Sequence, residues 1–197
     1  LADTYRMPAM LLADGALGQM MEPVSFPEIT PDAHDKSGWA ADGHKGKREH
    51  HIINSLYLQP DELQTSVVNR FERYEIVKAE ETDAELYLTE DCDILLCAFG
   101  ATARVVKSAV NEARAQGIKA GLFRPKTLWP FPVKEINEAA KSAKKLLSVE
   151  MSMGQMIDDI KLAINCSKPV EFFGRTGGVI PTPAEVLAEI KKVGGAM

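Results

Sequence analysis

Beyond Asp93, short apolar runs alternate with stretches in which apolar residues return every three or four positions. The runs at 94–99, 119–124, 145–150 and 170–173 read as strands, and Val105, Val106, Ala109, Val110 and Ala113 supply a helical stripe after the first of them. A βαβαβαβα order of this kind requires a sheet covered on both faces, so the expected fold class is α/β with an open, mostly parallel sheet. Ser152-Met153-Gly154-Gln155 and Thr182-Pro183-Ala184-Glu185 both have capping-box spacing, the second reinforced by proline at the first helical position, and each predicts a helix start. The last helix is expected to bury Val186, Leu187, Ile190 and Val193 and to run out at Gly194-Gly195.

The pattern before Asp93 is less regular. Residues 9–13 read as a short buried strand ending in Asp14-Gly15, and residues 16–21 as a helical turn stopped by Pro23. Residues 22–51 hold Pro23, Pro27, Pro31, several glycines and all four histidines without apolar periodicity, as a long irregular connection does. Residues 52–58 suit a strand. Pro60-Asp61-Glu62 then places proline and acids where a first helical turn prefers them, and Leu63, Val67, Phe71 and Tyr74 recur at helical spacing, which predicts one helix over 60–81.

Composition narrows the partners. A net charge of -5 argues against a broad nucleic-acid-binding face, which needs clustered Lys and Arg. No apolar run approaches the roughly 20 residues that span a bilayer, and residues 1–10 do not have the charged-then-apolar pattern of a signal peptide, so the expectation is a cytoplasmic protein without a membrane partner. The chain opens on Leu1 rather than Met, as a fragment lacking its N-terminal portion would. Cys92, Cys97 and Cys166 are too few for four-thiolate iron-sulfur ligation, and Cys97, inside an apolar run, reads as a buried small hydrophobe.

Open parallel sheets bind ligands at the carboxyl ends of their strands. The first such loop, Gly100-Ala101-Thr102, has Thr102 and Val105 where a dinucleotide fingerprint would need glycine, so it reads as a tight strand-to-helix turn. At the third, Glu150 stands beside a helix N-terminus whose exposed amides could also hold an anion, and helix capping is its favoured role. At the fourth, Gly174-Arg175-Thr176-Gly177-Gly178 joins flexible backbone to a guanidinium and suits a phosphate, a carboxylate or a subunit contact. Lys45, Lys47 and Arg48, with His50 and His51, form a small basic patch that reads mainly as a solvated loop. His34, His44, His50 and His51 lack a matching Cys/His pair elsewhere, so no metal site is expected from them. No Ser-His-Asp or Cys-His arrangement can be argued from spacing.

Several runs carry a resemblance. Residues 10–24, from Met10-Leu11-Leu12-Ala13-Asp14-Gly15 through Gly18-Gln19-Met20-Met21-Glu22-Pro23-Val24, resemble the end of the pyrimidine-binding domain in alpha subunits of thiamine-diphosphate-dependent 2-oxoacid:ferredoxin oxidoreductases. Asn54-Ser55-Leu56-Tyr57-Leu58 before Pro60 is similar to that family's linker. Phe99-Gly100-Ala101-Thr102-Ala103-Arg104, the run from Val149 to Met156 and the run from Gly174 to Pro183 resemble its transketolase C-terminal-like domain. The resemblance therefore implies residues 1–25 as the tail of a truncated pyrimidine-binding domain, 26–90 as a linker with one long helix, and 91–197 as the transketolase-C-like domain.

The Gly18–Val24 run looks most like the branched-chain 2-ketoisovalerate enzymes, with 2-oxoglutarate and pyruvate enzymes as alternatives. The implied reaction is oxidative decarboxylation of a 2-oxoacid to its acyl-CoA with ferredoxin as acceptor. Thiamine diphosphate, magnesium and iron-sulfur clusters are implied for the complete complex and none for this fragment alone; beta and gamma subunits, with a delta subunit as an option, ferredoxin and CoA are the implied partners, with a homodimer left open. No catalytic residue carries over. Asp14, Gly15, Glu150, Arg175 and Gly177 are the candidate cofactor contacts at strand ends, and the fragment is expected to serve assembly and active-site closure rather than turnover. Rival readings are a non-catalytic assembly module and an independent phosphate-binding domain.

Overall fold

The computed structural model describes residues 1–28 and 35–195, and His34 and Pro31 lie outside them. The chain divides into two compact units, Leu1–Leu12 with Met21–Val77, and Ala13–Met20 with Lys78–Met197.

In the first unit, a short helix α1 (Ala2–Tyr5) is followed by extended chain. Residues 9–13 form no strand, and Met10, Leu11 and Leu12 are exposed. Residues 52–58 likewise lack strand pairing, with Ile52 and Leu58 exposed. Apolar composition alone cannot make a strand without a neighbour to accept its hydrogen bonds. The predicted turn at 16–21 is a 3-10 turn, Leu17–Gln19, and belongs to the second unit. Helix α2 (Pro60–Glu80) forms as its proline and first-turn acids foretell, yet Val77 is its buried residue, and Leu63 and Phe71 on the apolar stripe are exposed.

The second unit is built on a five-stranded sheet. Its elements are β1 (Ala84–Tyr87), β2 (Ile94–Cys97), α3 (Gly100–Ala115), β3 (Ala120–Pro125), α4 (Val133–Ala139), β4 (Lys145–Glu150), α5 (Met156–Ala163), β5 (Val170–Gly174) and α6 (Pro183–Val193). The strand order is β1-β3-β2-β4-β5; β2 pairs in parallel with β3 and β4, β4 with β5, and β1 runs antiparallel along the outer edge of β3. This is the expected open, mostly parallel α/β sheet, with an edge strand that the alternating pattern did not announce.

Strand β2 shows why the sheet is covered twice. All four of its residues are buried. Ile94 and Leu96 point into a core with Val106, Ala109, Val110 and Ala113 of α3 and Val186, Ile190 and Val193 of α6, while Leu95 and Cys97 point the other way, toward Phe123, Ile136 of α4 and Ile160 of α5. The period of two in the strand sends alternate side chains to opposite faces, and the 3.6-residue period of each helix returns a stripe to meet them. None of the described helices is long and apolar enough to cross a membrane.

Candidate functional site

The three parallel crossovers bring the loops after β2, β3, β4 and β5 to one rim of the sheet, and four of the five candidate residues are best understood from there. Glu150, the last residue of β4, is 3% exposed. One carboxylate oxygen accepts from the Ser148 hydroxyl at 2.8 Å and the Ile157 amide at 2.9 Å; the other accepts from the Ser152 hydroxyl at 2.9 Å, the Gln155 amide at 2.9 Å and the Met156 amide at 3.1 Å. Burial pushes this carboxyl upward, but the Gln155 amide, the two serine hydroxyls and the Met156 amide outweigh it and hold the group below the ordinary range.

Glu150 is therefore the cap of α5, a role the spacing of Ser152 and Gln155 had suggested for Ser152. Helix α5 starts at Met156 behind Gln155, which makes no side-chain cap of its own. Ser152 instead donates to Glu150 and accepts from the Gly154 amide at 3.1 Å. A buried carboxylate is a stronger acceptor for a cluster of helix-end amides than one hydroxyl, which is why the longer reach wins.

Arg175 follows β5. Its guanidinium donates to Glu185 at 2.7 Å and lies 4.6 Å from the centre of the Phe173 ring. Glu185, the third residue of α6, closes the capping box at its start, where the Thr182 hydroxyl accepts from the Glu185 amide and the Glu185 carboxylate accepts from the Thr182 amide. Arg175 first, and then the Thr182 amide and hydroxyl, draw the Glu185 carboxyl down to about 2. Gly177 and Gly178 both take left-handed backbone, φ 65° and 87°, so the turn leading to α6 depends on them.

Asp14 belongs to the same unit. One of its oxygens accepts the Leu17 amide at 2.7 Å, and the other faces Gly100, where an added Cβ would lie 3.7 Å from it. The N-cap of α3, Phe99, supplies no side-chain acceptor and the first turn of α3 has no acid, so Asp14 is the carboxylate nearest in kind to what that helix end prefers. Gly15 has open space around it.

The rim thus holds Asp14, Glu150, Arg175 and Gly177, but the charges of Glu150 and Arg175 are already answered from within the chain. Thiamine diphosphate and its metal fit these residues poorly: Glu150 has both oxygens occupied by donors, Arg175 is committed to Glu185, and the described residues contain no group of three or more potential metal ligands. In the first unit, the His44 and His50 rings lie 4.1 Å apart, Arg48 pairs with Asp42, and the His51 Nδ1 meets the Ala40 carbonyl at 2.8 Å, so the basic patch is a folded loop with its own contacts.

One feature had no signal in the sequence. A shallow cleft of about 310 Å³ is lined by Phe131, Val133, Asp159, Leu162, Ala163 and Asn165. Burial, then Asp158 and Glu150, push the Asp159 carboxyl up. Its lining is mostly apolar, and it brings together residues from the loop before α4, α4 itself and α5, whose spacing along the chain hides their proximity.

The fold and rim define an α/β domain whose strand-end loops are closed by internal contacts. Residues 92–186 match the family model for pyruvate:ferredoxin oxidoreductase core domain II. The chain is 43% identical over 195 residues to the ketoisovalerate oxidoreductase subunit VorB of Methanothermobacter marburgensis, a match covering 99% of this chain and 55% of that protein. It is 32% identical over 215 residues to the 2-oxoglutarate synthase subunit KorA of the same organism, covering 96% and 57%. Among solved structures, it resembles a 2-oxoglutarate:ferredoxin oxidoreductase from Magnetococcus marinus with a TM-score of 0.59 and 23% identity, over 70% of this chain and 24% of that one, a likeness of fold. The chain spans about half the length of the relatives it matches.

Proposed function

We propose that the chain is part of the alpha subunit of a cytoplasmic 2-oxoacid:ferredoxin oxidoreductase that converts 2-ketoisovalerate to its acyl-CoA. On this reading residues 1–25 end a pyrimidine-binding domain, 26–90 form a linker and 91–197 form the transketolase-C-like domain. The single observation that carries the substrate preference is the 43% identity, over nearly all of the chain, to a ketoisovalerate oxidoreductase subunit, against 32% to a 2-oxoglutarate synthase subunit. Thiamine diphosphate would supply the carbanion chemistry and iron-sulfur clusters the path to ferredoxin, held by other parts of the complex. This chain's share is to assemble with its partner subunits and close the active site.

The engaged state of Glu150 and Arg175 favours a role in assembly, since neither offers an unanswered charge to a substrate. The test is viologen-linked oxidation of 2-ketoisovalerate, 2-oxoglutarate and pyruvate by the full-length subunit co-expressed with its partner subunits, with CoA and thiamine diphosphate supplied. Preferential turnover of 2-ketoisovalerate supports both family and substrate. Preference for another oxoacid keeps the family and removes the branched-chain assignment. An intact, cluster-loaded complex that turns over none of the three removes the enzymatic reading and leaves an assembly module.

A further inference from the structure

The cleft of about 310 Å³ between α4 and α5 has fixed walls. The Asn137 side-chain amide of α4 donates to the Val133 carbonyl at 2.8 Å and to the Ala163 carbonyl at 2.9 Å, which ties the start of α4 to the end of α5. Of the residues lining it, Ala163 is buried and Phe131 half-buried, whereas Leu162 is 74% and Val133 48% exposed at its mouth. A cleft this shallow leaves a free ligand largely in water. It suits a long side chain delivered from another protein surface, whose flanking residues then cover Leu162 and Val133.

Asp159, on the same wall, decides the sign of that side chain. Among the described residues it makes no hydrogen bond or ion pair, and the charges that act on it, Asp158 and Glu150, are both negative. The cations nearby are turned away or engaged. Lys161 stands about 160° around α5 from Asp159, and Lys134 about 100° around α4 from Val133. Lys141 is paired with Glu138, and the Lys168 ammonium is held by the carbonyls of Ala140, Lys141 and Ala143. Helix α5 also ends in this wall, at Ala163, where the carbonyl end of a helix favours positive charge. A carboxylate surrounded by its own sign gains from an incoming cation what the chain does not supply. We infer that the cleft takes an arginine side chain of a partner subunit, its stem along Phe131 and Leu162 and its guanidinium on Asp159. The inference rests on the reading that the chain works inside a complex of several subunits.

The test uses the full-length subunit co-expressed with its partner subunits. Leu162→p-benzoylphenylalanine, irradiated in the purified complex, is expected to cross-link to a partner subunit at a peptide that contains arginine, located by mass spectrometry. Asp159→Lys is expected to weaken the association of the subunits by about tenfold with circular dichroism unchanged, and replacing the arginine of the cross-linked peptide by glutamate is expected to restore it. An intact complex that gives no cross-link, cross-links within the same subunit alone or a peptide without arginine overturns the inference and leaves the multi-subunit reading in place. An Asp159→Lys complex as tight as the parent, or a reversed arginine that restores nothing, does the same. A full-length subunit that co-purifies with no partner removes both.

Discussion

The carboxylate of Glu150 accepts the amide of Ile157, seven residues further on, at 2.9 Å, and with the Gln155 and Met156 amides it closes the start of α5 from the end of β4. A strand end and a helix start are thereby tied through one buried side chain. Glu150→Ala leaves three helix-end amides and two serine hydroxyls without their acceptor and is expected to cost about 3 kcal/mol, against about 1 to 2 kcal/mol for Glu150→Gln, which keeps one acceptor oxygen. Urea denaturation of both variants against the parent chain measures the difference.

The same carboxylate makes stability depend on pH. Its folded-state value lies below the ordinary glutamate value of 4.5, so its contribution is complete above that value and is lost as pH falls through the lowered one. The advantage of the parent chain over Glu150→Gln is therefore expected to be full at neutral pH and to shrink in acid below about pH 4. An advantage that grows on acidification contradicts the assignment.

Arg175 is the main reason the Glu185 carboxyl sits near 2. In Arg175→Ala, the Thr182 amide and hydroxyl still hold that carboxyl, so its titration is expected to rise toward, yet stop short of, the ordinary value of 4.5. Carbon-detected NMR of the Glu185 side chain reads this directly; an unmoved titration would show that the ion pair does not form in solution.

Gly121 lies in β3, where a Cβ would come 2.6 Å from the Leu88 carbonyl oxygen and 3.1 Å from the Cys92 side chain. Because the first obstacle is backbone, it cannot rotate away. Gly121→Ala is expected to destabilise the chain by about 2 kcal/mol, seen as a lowered denaturation midpoint with an unchanged slope.

The three cysteines should separate cleanly toward an aromatic disulfide reagent. Cys166 is exposed, whereas Cys92 and Cys97 are buried, and burial pushes both of those thiols up. One thiol per chain is expected to react in the native state and the other two only after unfolding. Prompt reaction of two or more in the folded protein would refute the buried placement of Cys92 and Cys97.

The sheet's interior was legible because period and burial coincide there. The run at 145–150 became β4 unchanged, and Val106, Ala109, Val110 and Ala113 turned to the core as their spacing foretold. Strand β1 was not legible: Ala84-Glu85-Leu86-Tyr87 is short and half-covered, and its place is set by pairing with Tyr87 opposite Leu122, a partner 35 residues away. At the rim, the capping role of Glu150 was legible, but the loss of the cap position by Ser152 and the partner of Arg175 were not. Ser152 has the spacing of a cap and lost that place to Glu150, a residue on the far side of the turn; Arg175 looked free for an anion and is held by Glu185, ten residues on. Those outcomes depend on which groups the loops carry into contact, and local spacing contains no record of it.

The antiparallel strand also settles where this domain can be cut. A truncation at residue 91, where the alternation of runs and stripes begins, removes β1 and leaves β3 with an unpaired backbone edge from Leu122 to Pro125. Bare edges of this sort recruit strands from neighbouring molecules, so such a truncate is destined for aggregates. A version that keeps the hem of the sheet sewn starts no later than Thr82, whose hydroxyl donates to Glu135 of α4.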